Sequence, residues 1–305
     1  MVTDADGNIT SVNPAFCEIT GYAATEVIGK NPRILQSGVH TLHFYTELWR
    51  TLAERGRWSG EIWNRRKNGE VYPQWGSLSS VLDKSGKLRS YVAVFSDISK
   101  DKQAEEKLYH LANHDVLTGL PNRMKFNDQL TLAMERARRA QSQLAVVFID
   151  LDRFKLVNDT LGHAIGDLYL KQIAERLAQG LRKQDTLSRW GGDEFVIFLD
   201  DVGSRSDIAE AVGRLLTRIA KPIILSGHEL VPTASFGISV FPDDGKVSGD
   251  LIRTADAAMY RAKEKGRNGF EFYAEHMSTA LNEKLSLASE LRRAIQEDEL
   301  RLHYQ

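Results

Sequence analysis

Charge of one sign is missing from this 305-residue chain: Lys and Arg total 40, Asp and Glu 41, and the net charge is −1. A dedicated nucleic-acid binder usually shows a clear basic excess, so the balance argues against that class. Cysteine is nearly absent. The single Cys17 rules out an intramolecular disulfide and any Cys-clustered zinc site, and it fits a reducing compartment. No apolar run approaches the roughly 18 residues needed to span a membrane. The opening Met1-Val2-Thr3-Asp4-Ala5-Asp6 lacks the charged-then-apolar order of a signal peptide. Internal repeats and low-complexity tracts are missing too. The expectation is a soluble, cytoplasmic piece without nucleic-acid or membrane partners, whatever anchor a longer parent carries.

What is present is globular in kind, 42% hydrophobic and 27% charged. At about 100–200 residues per domain, the length predicts two domains and a partial third. The first hundred residues read as an α+β unit. A weakly alternating strand covers 8–13, Pro14 opens a helix over 15–20, and Leu42, Tyr45, Leu48, Trp49 and Leu52 mark a helix over 41–55. Strands over 58–65, 71–82 and 88–96 are joined by the hairpin turns Lys67-Asn68-Gly69 and Asp83-Lys84-Ser85-Gly86. Residues 98–112 are rich in Lys, Glu, Asp and Ala and read as a connecting helix, solvated or dimer-forming.

From Asp115 helices and strands alternate. Helices are expected over 124–141, 164–183, 206–220 and 251–265. Strands are expected over 144–151, 186–190, 194–199 and 270–273, with extended chain over 223–230 and 231–240. One mixed sheet covered by helices accounts for that order.

The chemistry concentrates at strand ends. Residues 144–152 form an apolar strand that ends in Asp150 and Asp152. Alternate strand residues share a face, so the two carboxylates point the same way and outline a hard-cation site. Taken alone, an Asp-x-Asp more often marks a strand's exit into solvent. Arg189-Trp190-Gly191-Gly192-Asp193-Glu194-Phe195 shifts that balance. Gly191-Gly192 reads as a tight hairpin whose backbone can approach phosphates, and two acids follow at once. Asp150 with Asp193 and Glu194 is the ligand set of two-metal phosphoryl or nucleotidyl transfer.

Several motifs stand in order over some 160 residues. They are Asp115-x-Leu117-Thr118-Gly119-Leu120-Pro121-Asn122-Arg123, Phe148-Ile149-Asp150-Leu151-Asp152-Arg153-Phe154-Lys155 with Asn158-Asp159, and Gly162-His163-x-x-Gly166-Asp167. Then come Gly191-Gly192-Asp193-Glu194-Phe195, Ser235-x-Gly237-Ile238-Ser239 and Ala262-Lys263-x-x-Gly266-Arg267-Asn268. Together they closely resemble the GGDEF diguanylate cyclase domain. That resemblance implies an α/β palm-like, nucleotidyl-cyclase-like fold with a central mixed sheet, which condenses two GTP into cyclic di-GMP and two pyrophosphates.

Carried over by resemblance, Asp150, the Leu151 carbonyl, Asp193 and Glu194 hold Mg²⁺ or Mn²⁺. Asp193 or Glu194 assists deprotonation of the attacking 3′-hydroxyl, and which one is left open. Asn158 and Asp167 read guanine, an amide and a carboxylate suiting its carbonyl and N–H groups. Phe154, Lys155, Gly191 and Gly192 flank the triphosphate. Lys263 and Arg267, four apart and on one face if helical, bind its phosphates. Arg182 and Asp185 stand where the family's inhibitory product site stands, with Arg214 as a second contact. An Arg guanidinium can hold phosphate or stack on guanine.

The first 99 residues resemble PAS sensor modules, on Asp4-x-Asp6-Gly7-x-Ile9, Asn13-Pro14-Ala15-Phe16, Thr20-Gly21-Tyr22, Glu26-Val27-Ile28-Gly29, Trp63-Asn64-Arg65-Arg66-Lys67-Asn68-Gly69-Glu70 and Phe95-x-Asp97-Ile98-Ser99. The usual start of the first strand is missing. Asn31-Pro32-Arg33-Ile34-Leu35-Gln36 is similar to the flavin-binding subclass, but Pro32 stands where the photochemical thiol would be. The PAS ligand stays open, with flavin one option and Trp58 and Asn64 sharing a strand face that could meet it. The tail, through Leu300-Arg301-Leu302-His303-Tyr304-Gln305, resembles the opening of an EAL phosphodiesterase domain.

The expected organisation is PAS at 1–99, linker helix at 100–114, GGDEF at 115–277 and the start of an EAL domain at 278–305. The resemblance implies a homodimer through the PAS domain and linker, GTP and cyclic di-GMP as ligands, and regulation by PAS and product. The alternative is a catalytically weak GTP- or cyclic-di-GMP-binding module that controls a downstream phosphodiesterase.

Overall fold

The computed structural model describes residues 1–277 and, beyond them, 290, 293–297 and 299. The expected EAL opening at 278–305 lies, those few apart, outside the described residues. The chain divides into two compact units at Tyr109/His110.

In the first unit, β1 (Val2–Asp4), β2 (Ile9–Ser11), α1 (Pro14–Thr20), α2 (Ala24–Val27) and α3 (Leu42–Arg55) precede β3 (Arg57–Arg65), β4 (Val71–Leu82) and β5 (Leu88–Asp97). The strands form one antiparallel sheet in the order β2-β1-β5-β4-β3. The first strand is present, though only three residues long, and it pairs with both β2 and β5. Pro14 does open α1: the Asn13 side chain accepts from the Phe16 N–H at 3.1 Å, and Gly21 ends the helix at φ 75°. Ile9, Phe16, Val27 and Leu35 form a small buried core. Arg66 pairs with Asp97 at 2.5 Å and lies 3.9 Å from the Tyr72 ring centroid. α4 (Ser99–Asn113) has no buried residue.

The second unit runs α5 (Arg123–Ala140), β6 (Gln143–Leu151), α6 (Phe154–Leu161), α7 (His163–Ala178), β7 (Thr186–Gly191), β8 (Glu194–Val202), α8 (Arg205–Ile219), β9 (Ile223–Leu225), β10 (His228–Leu230), β11 (Ala234–Phe241), α9 (Ser248–Glu264) and β12 (Gly269–Phe272). Its main sheet has the order β12-β11-β6-β8-β7, with β12 parallel to β11 and every other pair antiparallel. That is the mixed sheet the pattern implied. Central β6 is buried from Leu144 to Leu151. Its alternate residues feed two cores: Ala145, Val147, Ile149 and Leu151 pack with residues of α7 and α8, while Leu144, Val146 and Phe148 pack with α5 and α9.

Local readings change at two helices, and the extended stretch expected over 223–230 folds into the β9–β10 hairpin. α6 was not foreseen, because it is short and is entered through Arg153 at φ 58°. The helix expected to reach 183 stops at Ala178, where Gly180 turns the chain and a Cβ would come 2.5 Å from Leu215 Cδ2.

The glycine of the Ser235-x-Gly237 motif has a packing reason. A Cβ at Gly237 would lie 2.0 Å from both the Ala255 carbonyl oxygen and the Met259 nitrogen. α9 therefore rests directly on the β11 backbone, and the buried Ser239–Thr254 hydroxyl pair at 2.8 Å ties the two together. Neither clashing atom belongs to a flexible side chain. Gly237→Ala should lower the unfolding free energy by at least about 2 kcal/mol in urea; an unchanged midpoint would contradict this packing.

Candidate active site

The site is built on β6. Its neighbours set the register: Asp150 lies opposite Glu194 of β8 on one side and Ser235 of β11 on the other. Three polar residues thus lie in a row across the three central strands. At the end of the strand, the Leu151 N–H donates to the Asp193 carbonyl at 3.3 Å.

The β7–β8 hairpin turns one residue later than the Gly-Gly reading placed it. Gly191 still pairs with Glu194, so Gly192 and Asp193 form the loop, with Gly192 at φ 53°. Arg189 braces it. Its Nε and Nη2 donate to the Gly192 carbonyl at 3.1 and 2.7 Å, and its Nη1 lies 3.0 Å from both carboxylate oxygens of Asp115. Burial alone would raise the Asp115 carboxyl, but Thr118's hydrogen bonds and the Arg189 charge outweigh it and hold it below the usual range. Sequence reasoning missed this brace. Both residues lay inside quoted motifs, but no spacing joins positions so far apart.

Lys263, in the last turn of α9, puts its ammonium 2.6 Å from Asp150 Oδ2. The helical face expected to join Lys263 to Arg267 does not form. α9 ends at Glu264, and Arg267 follows in a left-handed turn at φ 64°, its N–H bonded to the Ala262 carbonyl.

Electrostatics mark the same place. Desolvation raises the Asp150 carboxyl; Lys263 opposes this, and Asp193 and Asp152 add to it. Desolvation also raises Glu194, and the charges of Asp150, Asp256 and Asp193 raise it further. Asp256 of α9, still reached by solvent, is itself raised by desolvation and is a fourth acid that sequence reasoning did not single out. Like charges brought together out of water favour a cation between them. Among the described residues no three His, Cys, Asp or Glu side chains close into a ligand cage. Lys263 supplies the neutralising charge at Asp150. The donors are all hard oxygens, and their mutual repulsion is what a divalent cation relieves, so the set suits an oxygen-ligated divalent cation.

α6 and α7 meet at Gly162. The Asn158 Oδ1 is buried there without a hydrogen-bond partner. A Cβ on Gly166 would fall 1.8 Å from that oxygen, so glycine at 166 leaves the amide its room. Asp167 is exposed beside it, Lys155 is exposed at the start of α6, and Phe154 stacks on Tyr169 with ring centroids 5.9 Å apart.

Arg182, Asp185 and Arg214 line one cavity of about 260 Å³. Asp185 is not ion-paired to the Arg182 side chain. It accepts from the Arg182 backbone N–H at 2.8 Å and from the Asp200 N–H at 3.3 Å, while burial raises its carboxyl. Arg214 pairs with Glu210 at 2.7 Å. In the first unit a separate cavity of about 260 Å³ is lined by Pro32, Gln36, Asn64 and Gln74 among others. Trp58 does not line it. That ring lies over the backbone of Gly60 and edge-on to Phe44, so the strand face expected to meet a flavin contributes Asn64 without Trp58.

A raised carboxyl makes the folded state less stable as pH rises through its titration, because the unfolded chain ionises at no such cost. In chelator, Glu194→Gln should therefore melt higher than the parent at neutral pH, and the gap should close on acidification through the carboxylate range. Equal melting temperatures at neutral pH would show that the acids do not repel.

Residues 112–269 match the diguanylate cyclase GGDEF domain family, and residues 1–100 match the PAS domain family. The chain is 43% identical over 228 residues to the bifunctional diguanylate cyclase/cyclic di-GMP phosphodiesterase MucR of Pseudomonas aeruginosa, covering 75% of this chain and 33% of that protein. It is 32% identical over 317 residues to the cyclic di-GMP phosphodiesterase PdeR of Escherichia coli, covering 100% of this chain and 46% of that one. The chain thus spans about a third to under half the length of these relatives. The structure of an N-terminally truncated mutant of Pseudomonas aeruginosa TpbB comprising only its GGDEF domain superposes at TM-score 0.54 with 38% identity, over 56% of this chain and 99% of that one. Matching sheet, matching motifs and a carboxylate row on the central strands agree: behind its PAS domain, this chain belongs to the GGDEF diguanylate cyclase family.

Proposed function

We propose that the second unit is a working diguanylate cyclase, within the cyclic di-GMP metabolism to which its family belongs. The observation that carries this is the Asp150–Glu194 pair, in register across β6 and β8, desolvated and faced by Lys263. In the proposed reaction the 3′-hydroxyl of one GTP attacks the α-phosphorus of another. A P–O bond forms, pyrophosphate leaves, and the same step repeated closes the ring.

Asp150, the Leu151 carbonyl, Asp193 and Glu194 would hold the divalent cation. When bound, it would neutralise the triphosphate and the negative charge that builds on the oxygens of the attacked phosphoryl group. Asp193 or Glu194 would accept the 3′-hydroxyl proton; desolvation and the neighbouring acids raise the Glu194 carboxyl, which makes it a stronger base than an ordinary carboxylate. Lys263 would exchange Asp150 for phosphate once a cation takes its place, and Arg267 would add a second positive charge. Asn158, whose Oδ1 lacks a partner, and Asp167 would take the guanine edge. The Gly192-Asp193 loop, braced by Arg189, leaves backbone close to the phosphates.

One unit supplies one half-site, so two chains must face each other. α4 offers the means: it buries no residue of its own and exposes Leu108, Tyr109 and Leu111. Pairing there raises the effective concentration of the two halves, and the first unit's cavity is where a signal would act. No helix among the described residues is long and apolar enough to cross a membrane. A second reading, a GTP-binding regulator of a phosphodiesterase, draws on the resemblance of the whole chain to PdeR.

Incubation with GTP and Mg²⁺ separates the two readings. The first expects cyclic di-GMP and pyrophosphate, lost by at least about a hundredfold in Asp150→Ala; bound but unconverted GTP would favour the second. The Arg182 cavity supports product feedback. Losing a charge-assisted Arg–phosphate contact costs about 1.5–3 kcal/mol, roughly ten- to a hundredfold in affinity. Arg182→Ala should bind cyclic di-GMP that much more weakly by calorimetry, with an unchanged initial rate.

A further inference from the structure

Asp152 is only 8% exposed, and the proposed reaction gives it no task. Both its oxygens are engaged. Oδ1 accepts from the Ser235 hydroxyl at 2.7 Å and Oδ2 from the Asn268 backbone N–H at 3.1 Å. Its own N–H donates to the Thr233 carbonyl at 2.9 Å. It is thereby fastened to β11 on one side and to the chain after α9 on the other.

That chain is unusual. Gly266, Arg267 and Asn268 follow one another at φ 120°, 64° and 45°, and two of the three are not glycine. Non-glycine residues persist in the left-handed region only where their surroundings over-determine them. A carboxylate at the rigid end of a buried strand, accepting a charge-assisted hydrogen bond from the last of the three, does that. The turn begins three residues after Lys263 and contains Arg267. Asp152, Arg267 and Asn268 line one surface pocket with Tyr169 and Thr233.

We infer that Asp152 is a positioning residue: it clamps the Gly266-Arg267-Asn268 turn to the end of β6. Arg267 and Lys263 are thereby held in place relative to Asp150 for the triphosphate of GTP. The two acids of Asp-x-Asp divide between them, Asp150 facing Lys263 and the cation site and Asp152 holding the loop. The inference rests on the proposed GTP site.

The isosteric variant discriminates. In Asp152→Asn the amide can donate to Ser235 Oγ while its oxygen still accepts from the Asn268 N–H, so a clamp survives and a metal ligand would not. The full chain is titrated with 3′-deoxy-GTP, which lacks the attacking hydroxyl, at several Mg²⁺ concentrations, and exchange of the Asn268 amide is followed. Asp152→Ala should bind about tenfold more weakly and expose the Asn268 amide. Asp152→Asn should stay within about twofold, with the parent's Mg²⁺ dependence and amide protection. Ser235→Ala, which removes one of the two holds, should fall between them and decides the matter with the Asn variant if the Ala variant fails to fold. An Asn variant as weak as Ala with a raised Mg²⁺ requirement would make Asp152 a metal ligand and overturn the inference, as would an Ala variant that keeps full affinity or amide protection. If the parent itself fails to bind 3′-deoxy-GTP, the GTP reading falls, and amide protection alone decides whether Asp152 holds the turn.

Discussion

Everything at the candidate site follows from one constraint: β6 is buried on both faces and still ends in carboxylates. Eight consecutive residues, Leu144–Leu151, lie in the core, so the strand cannot shift register without moving apolar side chains off both packed layers. Asp150 is therefore delivered to a fixed point, opposite Glu194 and Ser235. There it has lost much of its water and gained the negative charge of Asp193 and Asp152 as neighbours. A carboxylate in that position needs a positive charge, and Lys263 is brought to it at 2.6 Å.

The supply of that charge depends on a second close approach. α9 can lie on β11 because Gly237 has no side chain to hold it off. The helix then ends beside β6, where Lys263 meets Asp150 and Asn268 meets Asp152. On the opposite side Arg189 joins Gly192 to Asp115. The hairpin and the turn after α9 are each tied by one charged side chain, Arg189 and Asp152, to another part of the unit. Hydrogen bonds to charged groups are the stronger ones, about 1.5–3 kcal/mol each, which suits them to holding loops that have little apolar surface to bury.

Much of the fold was legible from pattern. β4 begins and ends where alternation and turn residues put it, and α5, α8 and α9 fall within three residues of their periodic stretches, because period and capping are local. The failures fall on short or terminal segments. α6 is too short for a period to declare itself. α7 stops at Ala178, and Gly180 beyond it lies against Leu215 of α8, a contact that no nearby residue announces. The Gly-Gly hairpin is displaced by one residue, since its turn is set by pairing with Glu194 and not by which residues tolerate a turn.

By itself, then, the sequence determined the composition of the site: which acids, which amide and which cations exist, in what order, and on which kinds of element. Its ordered motifs also sufficed to indicate the family. Only the tertiary structure decided who meets whom. It sent Asp152 to Ser235 and Asn268, Lys263 to Asp150 and Arg189 to Asp115, placed Asp256 near Glu194, and left Trp58 outside the first unit's cavity. Each of these partnerships joins different elements, and most span dozens of residues of chain. It exists only after strand order, register and helix packing are chosen, and those depend on the burial of the whole apolar set and not on any local run of residues.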